Sequence, residues 1–220
     1  MDIMNTPGLA ESLYQQALEV FFNARWGNKK LFSHDLSHHR RVWTFAKELL
    51  ACTENRNNPY SIDFYCKILI ACYLHDLGMT VTTGAEHGRE SRDLAVVFLS
   101  DRGLDPAGFT DMLDAIEKHD DKEYSSEAGE RNSILVILSA ADDMDAFGYT
   151  GIYRYLEIYT ERCIPPEKLG QRIRKNASNR FRNLEANFGK CPGLIEKHRQ
   201  RYLILDEYFR EFEKEAGFSQ

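Results

Sequence analysis

The chain has 220 residues, of which 43% are hydrophobic and 28% charged, and its formal net charge is −6. These values are typical of a soluble globular domain with a full core. The negative balance argues against a broad nucleic-acid-binding surface while allowing a local basic pocket. We predict neither a membrane span nor a signal peptide, because no apolar run is long enough and no basic N-terminus precedes one.

Five cysteines occur in the chain, and none of them belongs to a CxxC pair. An odd number without metal-type spacing predicts free thiols in a reducing cytosol, so we expect a cytoplasmic protein. The five are Cys52, Cys66, Cys72, Cys163 and Cys191.

Helical periodicity covers nearly the whole chain, and no alternating strand pattern occurs. The apolar stripes predict nine helices, at about 9–21, 38–49, 61–78, 87–98, 112–119, 132–142, 152–163, 169–188 and 195–212. Ser37 is the predicted N-cap of the second helix, and Gly78 is expected to end the third. The predicted fold is all-α, a bundle of eight or nine helices that forms one domain over residues 1–220.

The end of the third helix carries the most informative pair of residues. Its apolar stripe runs through Tyr65, Ile68 and Cys72, and the next position on the stripe is His75, followed by Asp76. The imidazole is therefore expected to face the core. Burial of an imidazole beside a carboxylate is costly, and a divalent cation bound by both would offset that cost.

Two further ionisable residues fall on apolar helix faces. His38 shares a face with Val42, and Asp142 shares one with Leu138. His39 is an alternative to its neighbour as a ligand, but the stripe through Val42 favours His38.

Together these positions predict a set of four metal ligands: His38, His75, Asp76 and Asp142. Two imidazoles and two carboxylates are formally neutral with a divalent ion. They suit Mn²⁺, Fe, Co²⁺, Ni²⁺ or Zn²⁺, whereas Mg²⁺ prefers more oxygen ligands. Four protein ligands leave about two positions of an octahedral ion for water and substrate. One ion is expected, and a second is compatible with the pattern.

The order H…HD…D resembles the motif of the HD-domain superfamily of metal-dependent phosphohydrolases. Three segments carry the local likeness: HHRRV at 38–42, LHDLG at 74–78 and ADDMDAFG at 141–148. One bacterial branch also has counterparts of His87 with Ser91 and of Ile116 with His119. The likeness covers about 30–155 and continues more loosely through the C-terminal helices at about 166–218. The chain departs from that branch at Ala140, a position that is often acidic.

The resemblance implies hydrolysis of a phosphate ester or phosphoanhydride. We expect a small phosphorylated substrate, with a nucleotide as the favoured one, and no nucleic-acid or membrane partner. Asp76 would accept a proton from the attacking water, and His87, His119 and Lys118 would neutralise charge on the phosphoryl group. Three cations are candidates for substrate binding: Arg41, Lys122 and Arg154.

Two other functions stay open on the sequence. Some members of the superfamily are di-iron oxygenases with the order H…HD…H…H…D, and His87 and His119 could complete that set. The other alternative is a non-catalytic sensor of a metal or a nucleotide.

The remaining polar residues near the motif have simpler interpretations. His34 and Asp35 precede the second helix, where Asp35 is read as a capping residue and His34 as a non-ligand. Asp145 is a candidate for a hydrogen bond to the ring nitrogen of a ligand histidine that does not bind the metal. The basic run on the eighth helix, which includes Arg180, is interpreted as a solvated face. The segments 79–86 and 120–131 are candidate substrate loops.

Overall fold

The computed structural model describes residues 6–54, 59–121 and 133–218. Within these ranges the chain forms nine α-helices and three short 3₁₀-helices and no strand, which confirms the predicted all-α bundle. The α-helices are α1 (Thr6–Trp26), α2 (Leu36–Thr53), α3 (Ile62–Leu74), α4 (His87–Asp101), α5 (Thr110–Lys118), α6 (Ile134–Asp145), α7 (Gly148–Glu161), α8 (Pro166–Phe188) and α9 (Pro192–Glu215). The 3₁₀-helices are Phe32–His34, Leu77–Thr80 and Pro106–Phe109.

Helix α3 is central and packs against α1, α2, α5 and α6. Every residue from 68 to 74 is fully buried, as expected for a helix that is apolar on all sides. Ser61 caps its N-terminus by accepting a hydrogen bond from the backbone N–H of Phe64 at 3.1 Å. Because α3 runs through the middle of the bundle, the residues that follow it are placed in the interior.

The prediction that α3 extends to Gly78 is wrong, since the α-helix ends at Leu74. Asp76 has φ −107° and ψ 7°, outside the α-helical region, and the 3₁₀-helix Leu77–Thr80 follows it. Gly78 is needed here for a close approach rather than for a helix stop. A Cβ at this position would collide with the backbone oxygen of His87. The turn therefore brings the start of α4 directly against the end of α3.

The N-cap of α2 is Asp35, and the prediction of Ser37 as N-cap is wrong. The Asp35 carboxylate accepts hydrogen bonds from the backbone N–H groups of Ser37 at 2.8 Å and of His38 at 3.4 Å. A carboxylate one residue before the helix reaches both free N–H groups, whereas Ser37 already lies inside the first turn. This cap fixes the first turn of α2, which carries His38.

The C-terminal helices pack as a pair against the rest of the bundle. Helices α8 and α9 contact each other, α8 also contacts α6, and α9 contacts α7. Arg201 on α9 donates hydrogen bonds to the backbone oxygens of Met144 at 2.8 Å and Phe147 at 3.0 Å. These bonds stabilise the junction between α6 and α7, so both helices are held in place beside α8.

The expectation of five free thiols is wrong for two of them. Cys52 at the end of α2 and Cys191 before α9 form a disulfide, and their Cα atoms lie 6.1 Å apart. The two residues are 139 positions apart in the sequence, so spacing gave no sign of the pair. Cys66 and Cys72 are free and buried, and Cys163 is free and exposed. None of the described helices is long and apolar enough to span a membrane.

Candidate metal centre

Four buried side chains converge where the ends of α3 and α6 meet the start of α2. The Nε2 atom of His38 lies 3.2 Å from His75 Nε2, 3.4 Å from Asp76 Oδ2 and 3.8 Å from Asp142 Oδ1. One ligand atom from each residue lies within 4.8 Å of all the others. The structure therefore brings together the four side chains that the sequence predicts as ligands.

The outer hydrogen bonds of the two imidazoles fit a metal site. His38 Nδ1 lies 2.8 Å from Asp145 Oδ2, and His75 Nδ1 lies 3.1 Å from the backbone oxygen of Cys72. Carboxylate and carbonyl oxygens can only accept, so both Nδ1 atoms carry the proton. The Nε2 lone pairs are then free to face the centre, as metal-binding histidines require.

His39 does not reach this group. Its Nδ1 atom bonds to the backbone oxygen of Cys72 at 3.1 Å, and its ring packs against Phe22 at 4.6 Å between centroids. The geometry thus offers His38, rather than His39, as the ligand from α2.

A second group of potential ligands shares Asp76 with the first. Asp76 Oδ1 lies 3.0 Å from His119 Nε2 and 3.3 Å from His87 Nε2. The Nδ1 atoms of these rings bond to backbone oxygens, His119 to Ile116 at 2.7 Å and His87 to Gly84 at 2.8 Å. Because each carboxylate oxygen of Asp76 faces a different group, this residue could bridge two ions.

Burial and neighbouring groups shift the pKa values of the ionisable residues at the centre. Burial opposes ionisation of Asp76, but the imidazoles that surround its carboxylate, His75 first among them, lower its pKa well below the usual value. Burial also disfavours a charged His75 and lowers its pKa. For His87, burial is outweighed by the hydrogen bond and charge of Asp76, which raise its pKa to about 9.

Two arginines flank Asp142. Arg154 on α7 donates from Nη2 to Asp142 Oδ1 at 3.3 Å. Arg180 on α8 donates from Nη1 to Asp142 Oδ2 at 3.2 Å and to Asp143 Oδ1 at 2.8 Å. The side chains of Arg154 and Arg180 are only 8% and 12% exposed, so both charges belong to the interior of the site.

A cavity of about 140 Å³ opens over the two ligand groups. The potential ligands Asp76, His87, His119 and Asp142 lie along it, together with the cations Arg154, Arg162 and Arg180. A second cavity of about 450 Å³ shares Asp120, Tyr159 and Asn176 with the first. The two cavities are therefore neighbours, and we call the smaller one the inner chamber and the wider one the mouth.

The other predicted site residues are placed differently. Arg154 lines the cavity, whereas Lys118 at the end of α5 is exposed and does not line it. Arg41 does not line it either, because its guanidinium is paired with Asp145 behind His38 at 2.7 Å. Lys122 lies outside the described residues.

Several cavity residues are not assigned to the site from the sequence, among them His34 and Arg180. His34 was read as a non-ligand, yet it is 5% exposed and its Nε2 atom lies 3.8 Å from Asp76 Oδ2. No periodic pattern marks it, because it lies in the 3₁₀-helix that precedes α2. The solvated-face interpretation is wrong for Arg180, which falls on the heptad-like stripe between Ala177 and Leu184.

Comparisons with known proteins place this geometry in a family context. Residues 11–212 match the model of the HD-CE family. A crystal structure of a Lactobacillus plantarum protein shares the fold, with a TM-score of 0.63 and 17% identity over 100% of both chains. A predicted HD superfamily hydrolase from an uncultured Thermotogales bacterium has 22% identity and a TM-score of 0.49, covering 87% of this chain and 95% of its own. No curated protein matches the chain.

Proposed function

The chain belongs to the HD-CE family, and from this premise we propose that it is a metal-dependent hydrolase of phosphate esters or phosphoanhydrides. The ion would be held by His38, His75, Asp76 and Asp142. The observation that supports this most strongly is the combination of four convergent ligand atoms with two arginines beside them whose side chains are little exposed. A phosphoryl group needs both, since it carries negative charge that a neutral metal site alone does not balance.

Side chains of the protein would transfer protons and bind the phosphoryl group. A divalent ion, when bound, supplies polarisation of a phosphoryl oxygen and a lower pKa for water. Asp76 belongs to both ligand groups, so its carboxylate would lie beside a metal-bound water and accept the proton from it. His87 and His119 face the cavity from the far side of Asp76, where they can bind phosphoryl oxygens or protonate the leaving oxygen.

The two chambers favour a substrate that is larger than its phosphoryl group. The inner chamber of about 140 Å³ is smaller than a typical small-molecule site, which is several hundred Å³. The mouth of about 450 Å³ can take the rest of the molecule, and the aromatic ring of Tyr159 lies on the wall that both chambers share. A nucleotide fits this arrangement, with its base at the mouth and a phosphate inside.

The experiment is a release assay for phosphate and pyrophosphate over nucleotides, sugar phosphates and other phosphate esters. It is run with Mn²⁺, Co²⁺, Ni²⁺ and Mg²⁺ on wild type, on Asp76→Asn and on Asp93→Asn, which changes an exposed carboxylate of α4. We expect turnover that depends on the ion, survives in Asp93→Asn and falls by at least about 10²-fold in Asp76→Asn. Absence of release from every substrate, with the ion bound, would favour the non-catalytic sensor.

The second ligand group gives one alternative a specific basis. His87 and His119 lie beside Asp76, where they would complete the H…HD…H…H…D set of a di-iron oxygenase. Consumption of dioxygen by the iron-loaded protein, without release of phosphate, would identify that activity instead.

A further inference from the structure

Arg154 contacts the same atoms that would bind the metal. Its Nη2 atom lies 3.3 Å from Asp142 Oδ1 and 3.5 Å from His38 Nε2. We propose that Arg154 opposes binding of the ion and, once the ion is bound, contacts the anionic group of the substrate instead. It would leave these two ligand atoms when the divalent cation binds, and would then hold the anionic group. This inference rests on the proposed function.

The lone pair of His38 Nε2 faces both Arg154 and the proposed ion. A guanidinium can only donate hydrogen bonds, so in its 3.5 Å contact with Arg154 the Nε2 atom of His38 is the acceptor. The other ring nitrogen of His38, Nδ1, already donates a hydrogen bond to Asp145 at 2.8 Å. One lone pair cannot serve both a guanidinium N–H and a metal ion, so the contact with Arg154 has to break when a cation is bound.

Charge adds to this competition. A guanidinium within about 3.5 Å of two ligand atoms is close enough to repel a divalent cation strongly in a buried site. Arg180 provides the contrast, because it binds Asp142 through Oδ2 and also pairs with Asp143. Its contacts use the carboxylate oxygen that faces away from His38, so Arg180 need not move.

Arg154 is also placed where it can bind an anion once its contacts with the two ligand atoms are broken. Its Nε atom donates to the backbone oxygen of Ser33 at 3.1 Å, which anchors the base of the guanidinium. Its Nη1 atom lies 3.3 Å from Asp145 Oδ2 but has no hydrogen-bond partner among the described residues. The side chain lines the cavity, so a small rotation about Nε would direct donors toward a phosphoryl oxygen.

The test measures Mn²⁺ affinity and phosphate affinity separately. Free Mn²⁺ is titrated into wild type, Arg154→Gln and Arg41→Gln at constant pH and ionic strength, and inorganic phosphate is then titrated into the Mn²⁺-loaded proteins. We expect Arg154→Gln to bind Mn²⁺ at least about tenfold more tightly than wild type and phosphate at least about tenfold more weakly. Arg41→Gln also removes a positive charge that lies beside Asp145, but Arg41 contacts none of the four proposed ligands. The Mn²⁺ affinity of this variant should therefore change less than about threefold.

Several results would overturn the proposal. Unchanged or weaker Mn²⁺ binding by Arg154→Gln would show that the arginine does not compete with the ion, as would an equal gain in Arg41→Gln. If Arg154→Gln does not fold, Arg154→Lys replaces it. Its compact ammonium cannot keep both ligand contacts together with the bond to Ser33, so a gain of about threefold in Mn²⁺ affinity is expected and no gain contradicts the proposal. If wild type binds no Mn²⁺, the proposed function fails together with this inference.

Discussion

Each imidazole of the two ligand groups is bound at Nδ1 by an outer acceptor, which leaves Nε2 facing the centre. The four rings are His38, His75, His87 and His119. Three of the acceptors are backbone oxygens, and only His38 uses a side chain, the carboxylate of Asp145. Substitution of a single side chain, Asp145, can therefore disturb the tautomer of His38, whereas the acceptors of the other three rings belong to the backbone.

Replacement of Asp145 by Asn should weaken ion binding without removing a ligand. The amide cannot stabilise His38 as a carboxylate does, and the loss of such an outer partner typically costs about 10–100-fold in metal affinity. Titration with Mn²⁺ measures the effect, and circular dichroism checks the fold. Asp143→Asn is the matched control, because Asp143 lies on the same helix and contacts Arg180 instead of a ligand histidine. Equal affinities of Asp145→Asn and wild type would contradict this role.

Changing His87 or His119 to Ala should distinguish three roles of these residues, which are contact with substrate, binding of a second ion and packing. If they contact substrate, the first ion stays bound and turnover falls by about 10²–10⁴-fold. If they hold a second ion, the metal content falls from two ions to one. If they only pack, stability falls while turnover of the folded protein survives. Metal analysis, thermal melts and turnover are therefore measured on the same two variants, and we expect the first pattern. Unchanged turnover with unchanged metal content would defeat both functional roles.

Sequence patterns identify site residues that interrupt an apolar stripe. His75 and Asp142 are visible in this way, since each occupies a position where an aliphatic residue is expected. His34 is different because it precedes a helix, in a 3₁₀ turn whose orientation no periodicity gives. Lys118 lies near His119 in sequence but is exposed. Proximity along the chain therefore does not predict which side of a helix end faces the cavity.

At the level of elements, the site depends on how closely α4 approaches the end of α3. The backbone N–H of Gly78 donates to Ser91 Oγ at 2.8 Å, which joins the 3₁₀-helix Leu77–Thr80 to α4. The same approach places His87, the first residue of α4, beside Asp76. The two ligand groups are thus connected through one tight turn.

Gly78→Ala should test this turn. The added Cβ would collide with the backbone of His87 and with Ser91, so we expect a loss of about 1–3 kcal/mol in the free energy of unfolding and weaker ion binding. Gly193→Ala is the control, because a Cβ in the first turn of α9 meets nothing within 4 Å. Chemical denaturation measures both variants. A neutral Gly78→Ala would show that the approach of α4 tolerates a side chain.

Helix positions could be predicted because each apolar stripe repeats over several turns, whereas helix ends depend on single contacts. The end of α3 at Leu74 and the Asp35 cap of α2 are two such cases. The disulfide between Cys52 and Cys191 depends on how α2 and the start of α9 meet in space, which no local pattern encodes.

Across the bundle, a buried histidine on α9 lies where the C-terminal helices meet α2. His198 on α9 is fully buried, and its Nδ1 atom accepts from Arg201 at 3.0 Å. Its Nε2 atom has no hydrogen-bond partner among the described residues and lies 3.6 Å from Glu48 on α2. Burial and the charge of Arg201 lower the pKa of His198 to about 4.

This shift predicts a loss of stability in mild acid. The unfolded chain takes up the proton near the ordinary pKa of about 6.5 and the folded chain only near 4, so the contribution of His198 is complete above pH 6.5 and is lost as pH falls toward 4. His198→Gln should therefore lose less free energy of unfolding between pH 7 and pH 5, by about 1–2 kcal/mol. Chemical denaturation at the two pH values measures the difference. An identical pH dependence in wild type and variant would contradict the assignment.

The proposed function depends on binding of a divalent ion by the four convergent side chains. Anomalous diffraction from crystals grown with Mn²⁺ locates the ion. We expect an anomalous peak within about 2.0–2.3 Å of one nitrogen or oxygen atom from each of His38, His75, Asp76 and Asp142. A crystal with Mn²⁺ bound elsewhere, or with any of these four side chains more than about 3 Å from the ion, would contradict it.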